Sequence, residues 1–360
     1  MVGYKNRLIL RFVSLLKDKA AFARASLCPN TRKSSIRLAV LRVTTHNPSS
    51  APSEDSIAAV LALGDASRST ACACIVALMD RLQKTRSSYV ALKCLILAHS
   101  IISNGSFILK DQLSVYPLSG GRNFLNLSTF LDKSNVESWE LSSWVRWYAG
   151  VIESNLQASR VLGSSPSSSS QSNVGKNDIG KEDEKISGLT NSELLREIDG
   201  LTIVIEEICK APESTHMQVM TLVHEVMRLV GENYMLVHDK AFVRLDEMED
   251  RMDMLSYDES IELLSCLRRL LGCRQRLLDL FVNKKKKDPL WDMIEGMTER
   301  ILRMKKEREE RMLVVVGRRE EGTDLTRCNE RVIGLGQVDQ FPSSGYFRLG
   351  VDGVLQTVSN

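Results

Sequence analysis

The sequence predicts an all-α protein: a superhelical stack, or solenoid, of about ten helices joined by short links. Two observations carry this. Helix formers dominate, and the breakers are sparse, 21 Gly and 8 Pro in 360 residues. Apolar residues recur at three- and four-residue spacing, while Val and Ile seldom alternate with polar residues as a half-buried strand requires. A hydrophobic fraction of 43% supplies a real core, and the length allows one large domain or two ordinary ones. No repeat of fixed period is visible, so the stack is built from unlike units.

The elements follow in order. Residues 5–25 are moderately amphipathic. Residues 32–43 carry Ile36, Val40 and Val43 at helical spacing. Two prolines mark 44–54 as a loop, and Ser53 is the candidate N-cap of a helix from Glu54 to Leu63. Residues 67–83 and 86–103 form a helical hairpin, ended by the Asn104-Gly105 stop signal. A short helix over 106–113 precedes the Pro- and Gly-bearing loop 114–124. Short helical pieces are expected over 125–131, then a long helix over 137–161 with Trp139, Trp144 and Trp147. The run 163–187 is Ser-rich with almost no apolar side chain to offset its ordering entropy, and reads as a disordered loop. Helices resume at 189–210, 213–248, 257–283 and 288–316. From Gly317 the periodicity is lost, so the chain divides into a helical domain, 1–316, and a flexible tail, 317–360.

Charge is unevenly placed. The net value of +3 is nearly neutral, yet residues 1–42 hold ten Lys and Arg against the single acid Asp18, leaving +9. Such an arm suits an anionic lipid surface or nucleic acid. Only Tyr4, Phe12 and Phe22 interleave with its cations, too few for base stacking, so nucleic acid is not expected. The eight cysteines lack Cys-x-x-Cys spacing, and Cys72 and Cys74 stand about 200° apart on a helix, so they read as small buried hydrophobes of a reducing compartment. His46, His99, His216, His224 and His238 show no ligand spacing, and His99 reads as a satisfied core residue. No nucleophile–base arrangement can be assembled. The chain is therefore expected to be no enzyme and to hold no cofactor or metal. No run reaches the roughly 18 apolar residues of a membrane span, and the N-terminus lacks the marks of a signal peptide.

Other runs have two readings each. Leu277–Phe281, "LLDLF", matches a short clathrin-box pattern but lies in a helical pattern and reads as core. Lys284–Lys287 is a solvated helix junction, a phosphate contact or a nuclear signal. The methionines between Met217 and Met254 either pack the core or accept a partner helix.

Three stretches resemble one family. "RVTTHNP" (42–48) sits between two helices. "RSSYVALKCLILAHSIISNG" (86–105) has the Ser-Ser, Lys and His-Ser spacing of a hairpin's second helix. "NFLNLSTFLDKSNVESWELSSWVRWYAGVIESNL" (123–156) carries Leu-x-Leu-Ser-x-Phe-Leu-Asp-Lys-Ser, followed by Trp-x-x-x-Tyr. Over about residues 1–310 the chain resembles the ANTH domain of clathrin assembly proteins, the CALM type and its short plant members. The resemblance implies an ANTH/ENTH-like helix stack that binds phosphatidylinositol bisphosphate or other anionic phospholipid. It also implies contact with clathrin and coat adaptors, capture of SNARE helices in some members, and a peripheral place at coated pits and vesicles, the plasma membrane and the Golgi. A monomer is expected.

In that family a Lys stands two residues before the Thr-Thr-His, and a Lys-rich cluster ending in His opens the next helix. Here the first position is Arg42, and the second reads Pro52-Ser53-Glu54-Asp55-Ser56. Each lost Lys–phosphate contact removes about 1.5–3 kcal/mol. The expected lipid-binding residues are therefore Lys33, Arg37 and Arg42, acting through weaker and less stereospecific attraction of about 1 kcal/mol per cation. Lys33 and Arg37 share a face, with Arg42 about 140° round from Arg37. The alternative is a helical scaffold derived from the ANTH fold without lipid specificity.

Overall fold

The computed structural model describes residues 2–27, 31–48, 50–116, 125–163, 184–213, 220–281 and 288–320, without the side chains of 2–12, 14, 31 and 312–320. Among these residues the protein is all-α, as expected, with eleven α-helices of eight residues or more, a single helical turn at 184–187, a 3-10 turn at Met252–Met254 and no strand. They are α1 (Val2–Ser26), α2 (Thr31–Val43), α3 (Glu54–Asp65), α4 (Arg68–Lys84), α5 (Ser88–Asn104), α6 (Phe107–Ser114), α7 (Val136–Gly163), α8 (Asn191–Cys209), α9 (Thr221–Asp250), α10 (Tyr257–Leu280) and α11 (Pro289–Glu320). The chain divides into two units, 1–306 and 307–360, and the second is described only as helix to Glu320. Residues 317–320, read as tail, are thus helical, while 321–360 lie outside the described residues.

Within the first unit, packing runs mainly between near neighbours in sequence. Helix α2 packs on α1, α3 and α4; α5 packs on α4 and α7; α8 packs on α7, α9 and α10. Helix α5 is the spine. Fourteen consecutive residues, Ser88–Ile101, are buried, as a helix apolar on all sides must be. Its four polar buried side chains each find a partner. Lys93 Nζ donates to Asn47 O at 2.7 Å, and His99 Nδ1 shares a 2.8 Å hydrogen bond with the Tyr148 hydroxyl. Ser100 Oγ donates to Ile96 O, and Ser88 is held by Asp132. Burial pushes the His99 pKa down to about 4, with Arg228 adding a smaller repulsion, and this is the satisfied core histidine expected from the sequence.

Local chemistry sets the boundaries. Ser53 accepts from Ser56 N at the start of α3, as expected. Reciprocal capping boxes open α4 (Ser67/Thr70), α8 (Thr190/Glu193) and α10 (Ser256/Glu259), each cap worth about 1 kcal/mol. Gly105 does cap α5, but with φ −68° rather than in the left-handed region. Glycine is needed there because a Cβ would run into the Ile101 carbonyl oxygen.

One sequence expectation fails: residues 125–131 are turns, not short helices. Asn126 Oδ1 accepts from Ser128 Oγ at 2.8 Å and from Ser128 N at 3.3 Å, a side-chain bond that competes with helix. Leu127 N donates to Leu125 O and Phe130 N to Leu127 O, closing two tight turns. These aim Asp132 inward. Its Oδ2 accepts from Ser88 N at 2.8 Å and its Oδ1 from Ser134 N and Oγ at 3.0 and 2.7 Å, while its own N–H donates to Ser142 Oγ. The "LDKS" block thus ties the start of α5 to α7. Of the expected Ser-rich loop, 164–183 lie outside the described residues, and 184–187 form one helical turn with Ile186 buried.

Candidate functional site

The site is built on α1, α2, the loop after α2, and the last turn of α4. Helix α2 buries Ile36, Ala39, Val40 and Val43 on one stripe and leaves Arg32, Lys33, Arg37 and Arg42 exposed. A buried hydrogen bond from Ser34 Oγ to Ala25 O at 2.8 Å joins it to the end of α1.

Three side chains from three helices hold the Thr44–Pro48 loop. From α1, Asp18 accepts from His46 N at 3.0 Å and lies 2.6 Å from His46 Nδ1. From α4, Arg81 Nη2 donates to Thr44 O at 3.0 Å and stands 3.7 Å from Asp18. From α5, Lys93 Nζ reaches Thr45 Oγ1 at 3.2 Å and Asn47 O. Burial alone would raise the Asp18 pKa, but the His46 hydrogen bonds and charge, with Arg81, hold it below its ordinary value. Burial pushes Lys93 down to about 8, against the opposing pull of Asp18. The arm's single acid is therefore spent on a loop rather than on its cations.

Helix α3 departs from the resemblance for a local reason. Glu54 and Asp55 occupy its first turn, behind the Ser53 cap, where the helix dipole favours acids.

Between α1, α2 and α4 lies an open cavity of about 290 Å³. Arg24, Arg37, Arg81 and Lys84 line it, with Asp80 as the single carboxylate. Of the three residues singled out in the sequence, the structure brings only Arg37 to this cavity. Lys33 lies exposed one turn earlier on α2 and Arg42 exposed in its last turn, both outside the lining. Sequence reasoning missed Arg24, Arg81 and Lys84. Their visible signal was position, since each sits in the last turn of its helix, where cations are favoured.

The remaining motifs resolve unevenly. In "LLDLF", Leu277 is buried and Phe281 stacks on Tyr234 with centroids 5.1 Å apart, so this end of α10 belongs to the core. The methionines split: Met248 and Met252 are buried, Met220 and Met227 half-buried, Met235 and Met254 exposed. Met217 and Lys284–Lys287 lie outside the described residues. Among the described residues no helix is long and apolar enough to cross a membrane.

The family model of the ANTH domain matches residues 35–286. Clathrin assembly protein At4g40080 of Arabidopsis thaliana is 39% identical over 344 residues, 93% of either chain. Clathrin assembly protein At5g10410 of the same plant is 30% identical over 308 residues, 82% of this chain and 85% of that one. A third, At2g25430, is 32% identical over 149 residues, 41% of this chain and 22% of its own length. With that family match over most of its length, the chain belongs to the ANTH domain family.

Proposed function

We propose that the protein is a peripheral membrane adaptor of clathrin coats, drawn to anionic leaflets by the cationic outer face of α2 and the end of α1. The family match and the names of its Arabidopsis relatives support the coat role. The observation that carries the membrane part is the exposure of Lys17, Lys19, Arg24, Arg32, Lys33, Arg37 and Arg42, while Asp18 is turned inward to His46. At about 1 kcal/mol per cation near an anionic surface, even half of these give useful attachment. Lys33, Arg37 and Arg42 are the lipid contacts of this reading.

Its partners are anionic phospholipid, a coat component and a SNARE-type cargo helix; Met235 and Leu236, exposed on α9, are apolar side chains such a helix would meet. "LLDLF" serves no coat contact in this reading, since presenting Leu277 would unwind the end of α10. A second reading, a helical scaffold without headgroup specificity, is favoured by one observation: Glu54 and Asp55 stand where the resemblance puts lysines.

Vesicle co-sedimentation separates the two. The full chain should pellet with phosphatidylserine vesicles at low salt and be released by salt. Charge reversal at Lys33, Arg37 and Arg42 together should abolish pelleting. Absence of pelleting by the unaltered chain leaves the scaffold.

A further inference from the structure

We propose that Cys209 and Cys273 form an oxidant-responsive dithiol, which hydrogen peroxide joins in a disulfide tying the end of α8 to α10. Neither residue belongs to the basic face of α2 or to the stretches that carry the family resemblance, so the site stands apart from the membrane and coat readings.

Placement is the first observation. The two residues are 64 positions apart in the chain, yet Cys209 Sγ lies 3.8 Å from the Cys273 carbonyl oxygen, and the two thiols share a hydrogen bond. Both are free thiols. A disulfide needs Cβ atoms about 3.5–4.5 Å apart, and thiols in hydrogen-bond contact are near that geometry. The backbone around them is already fastened. Arg276 on α10 donates from Nε to Cys209 O at 3.3 Å and from Nη2 to Ala211 O at 2.7 Å. Trp147 Nε1 on α7 donates to Glu207 O at 2.9 Å. Cys209 is the last residue of α8, so the chain after it can take up the small adjustment a bond requires. Cys209 is half-buried while Cys273 is 6% exposed, so the pair opens to solvent at Cys209.

Chemistry is the second. The Cys209 S–H donates to Cys273 and holds the Cys273 pKa below its ordinary 9.0; Arg269 and Lys210 assist, against burial and Glu206. The same hydrogen bond, with burial, raises Cys209. Elsewhere burial lifts Cys74 and Cys266 to about 11 and Cys94 to about 12, which keeps those thiols protonated. The pair thus has an attacking sulfur, Cys273, and a second sulfur to resolve it, Cys209.

The Cys273 thiolate attacks one oxygen of hydrogen peroxide. An S–O bond forms, the O–O bond breaks, and the departing hydroxide takes up the proton that Cys273 released, leaving as water. The Cys209 sulfur then attacks the sulfenic sulfur. The S–S bond forms, the S–O bond breaks, and hydroxide leaves with the Cys209 proton as a second water. Two thiols lose two electrons, and one peroxide is reduced to two waters.

The test is non-reducing peptide mapping of the full chain after equimolar hydrogen peroxide, with the unfolding midpoint measured on the same samples. A linked pair of peptides bearing Cys209 and Cys273 is expected, lighter by two hydrogens and separated again by dithiothreitol. Because the link closes a long loop, the midpoint should rise by about 3–8 °C. Cys209→Ser, a change at the half-buried position, should stop at the sulfenic acid, trapped by dimedone on Cys273, with no link and no rise. Cys266→Ser, earlier on α10, should form the link as the unaltered chain does. Recovery of both peptides as free thiols, a link through Cys266 or between two chains, or a link that leaves the midpoint unchanged or lower overturns the proposal. So does a full midpoint rise in Cys209→Ser, or the absence of a dimedone adduct on its Cys273.

Discussion

His46 turns both its backbone N–H and its ring Nδ1 onto one carboxylate, Asp18, 28 residues earlier in the chain, at 3.0 and 2.6 Å. That pair locks the loop after α2 to α1 and so fixes the angle at which the two basic helices meet.

Asp18→Asn keeps the shape and removes the charge. A hydrogen bond to a charged group is worth about 1.5–3 kcal/mol, and the Asp18 side chain is only 14% exposed, so a loss of about 1–3 kcal/mol is expected in denaturant unfolding. The pH dependence has a definite sign. Because the folded state holds the Asp18 pKa below 3.8, its contribution is complete above that value and disappears as pH falls through the folded one. The variant should lack this acid limb. Retention of the limb in Asp18→Asn would assign it to another carboxylate.

His99 sets a second pH limb. Its folded pKa of about 4 against an ordinary 6.5 means that the unfolded chain takes up a proton there first. Stability is therefore full above about 6.5 and falls as pH drops toward 4. The shift is worth a few kcal/mol at about 1.4 kcal/mol per unit. His99→Gln can keep a hydrogen bond to Tyr148 and should flatten the curve between those values. A curve unchanged in shape would count against the burial account.

Much of the helix order was legible because caps and apolar spacing are local. Ser53, the 3.6-residue stripe of α2 and the unbroken apolar run of α5 each announce themselves within one element. What escaped depends on residues far apart in the chain. Nothing in "NFLNLSTF" says that Asn126 will satisfy Ser128 rather than let a helix form. Nothing near Arg24 says that Arg81 and Lys84 will stand opposite it. Lys33 and Arg42 were readable as exposed cations, since α2 has one apolar stripe. Whether exposed cations share a site is a tertiary fact.

The buried pair Arg244–Glu197, Nε to Oε2 at 2.7 Å with side chains 6% and 3% exposed, joins α9 to α8. Removing one partner strands a buried charge, so Arg244→Met should cost about 3–5 kcal/mol. Adding Glu197→Leu to it should recover most of that loss, because well-packed apolar residues often replace a buried pair at little cost. The measurement is the coupling energy from a double-mutant cycle. Additive losses would show that packing, not charge, dominates the site.

Asp132 gives the sharpest test of the family-like "LDKS" block. It is 5% exposed, and its two oxygens accept from Ser88 N, Ser88 Oγ, Ser134 N and Ser134 Oγ. Asp132→Asn replaces one oxygen by an NH2 group that cannot accept, so either Ser88 N at the start of α5 or Ser134 N is left facing a donor. The serine hydroxyls can rotate to accept instead, but the backbone amide cannot. A loss of about 1–3 kcal/mol is expected. Amide exchange should show where it falls: faster exchange at Ser88 if the amide nitrogen points to α5, at Ser134 if it points to the loop. An equally stable variant with unchanged exchange at both positions would mean that the block holds α5 by packing alone.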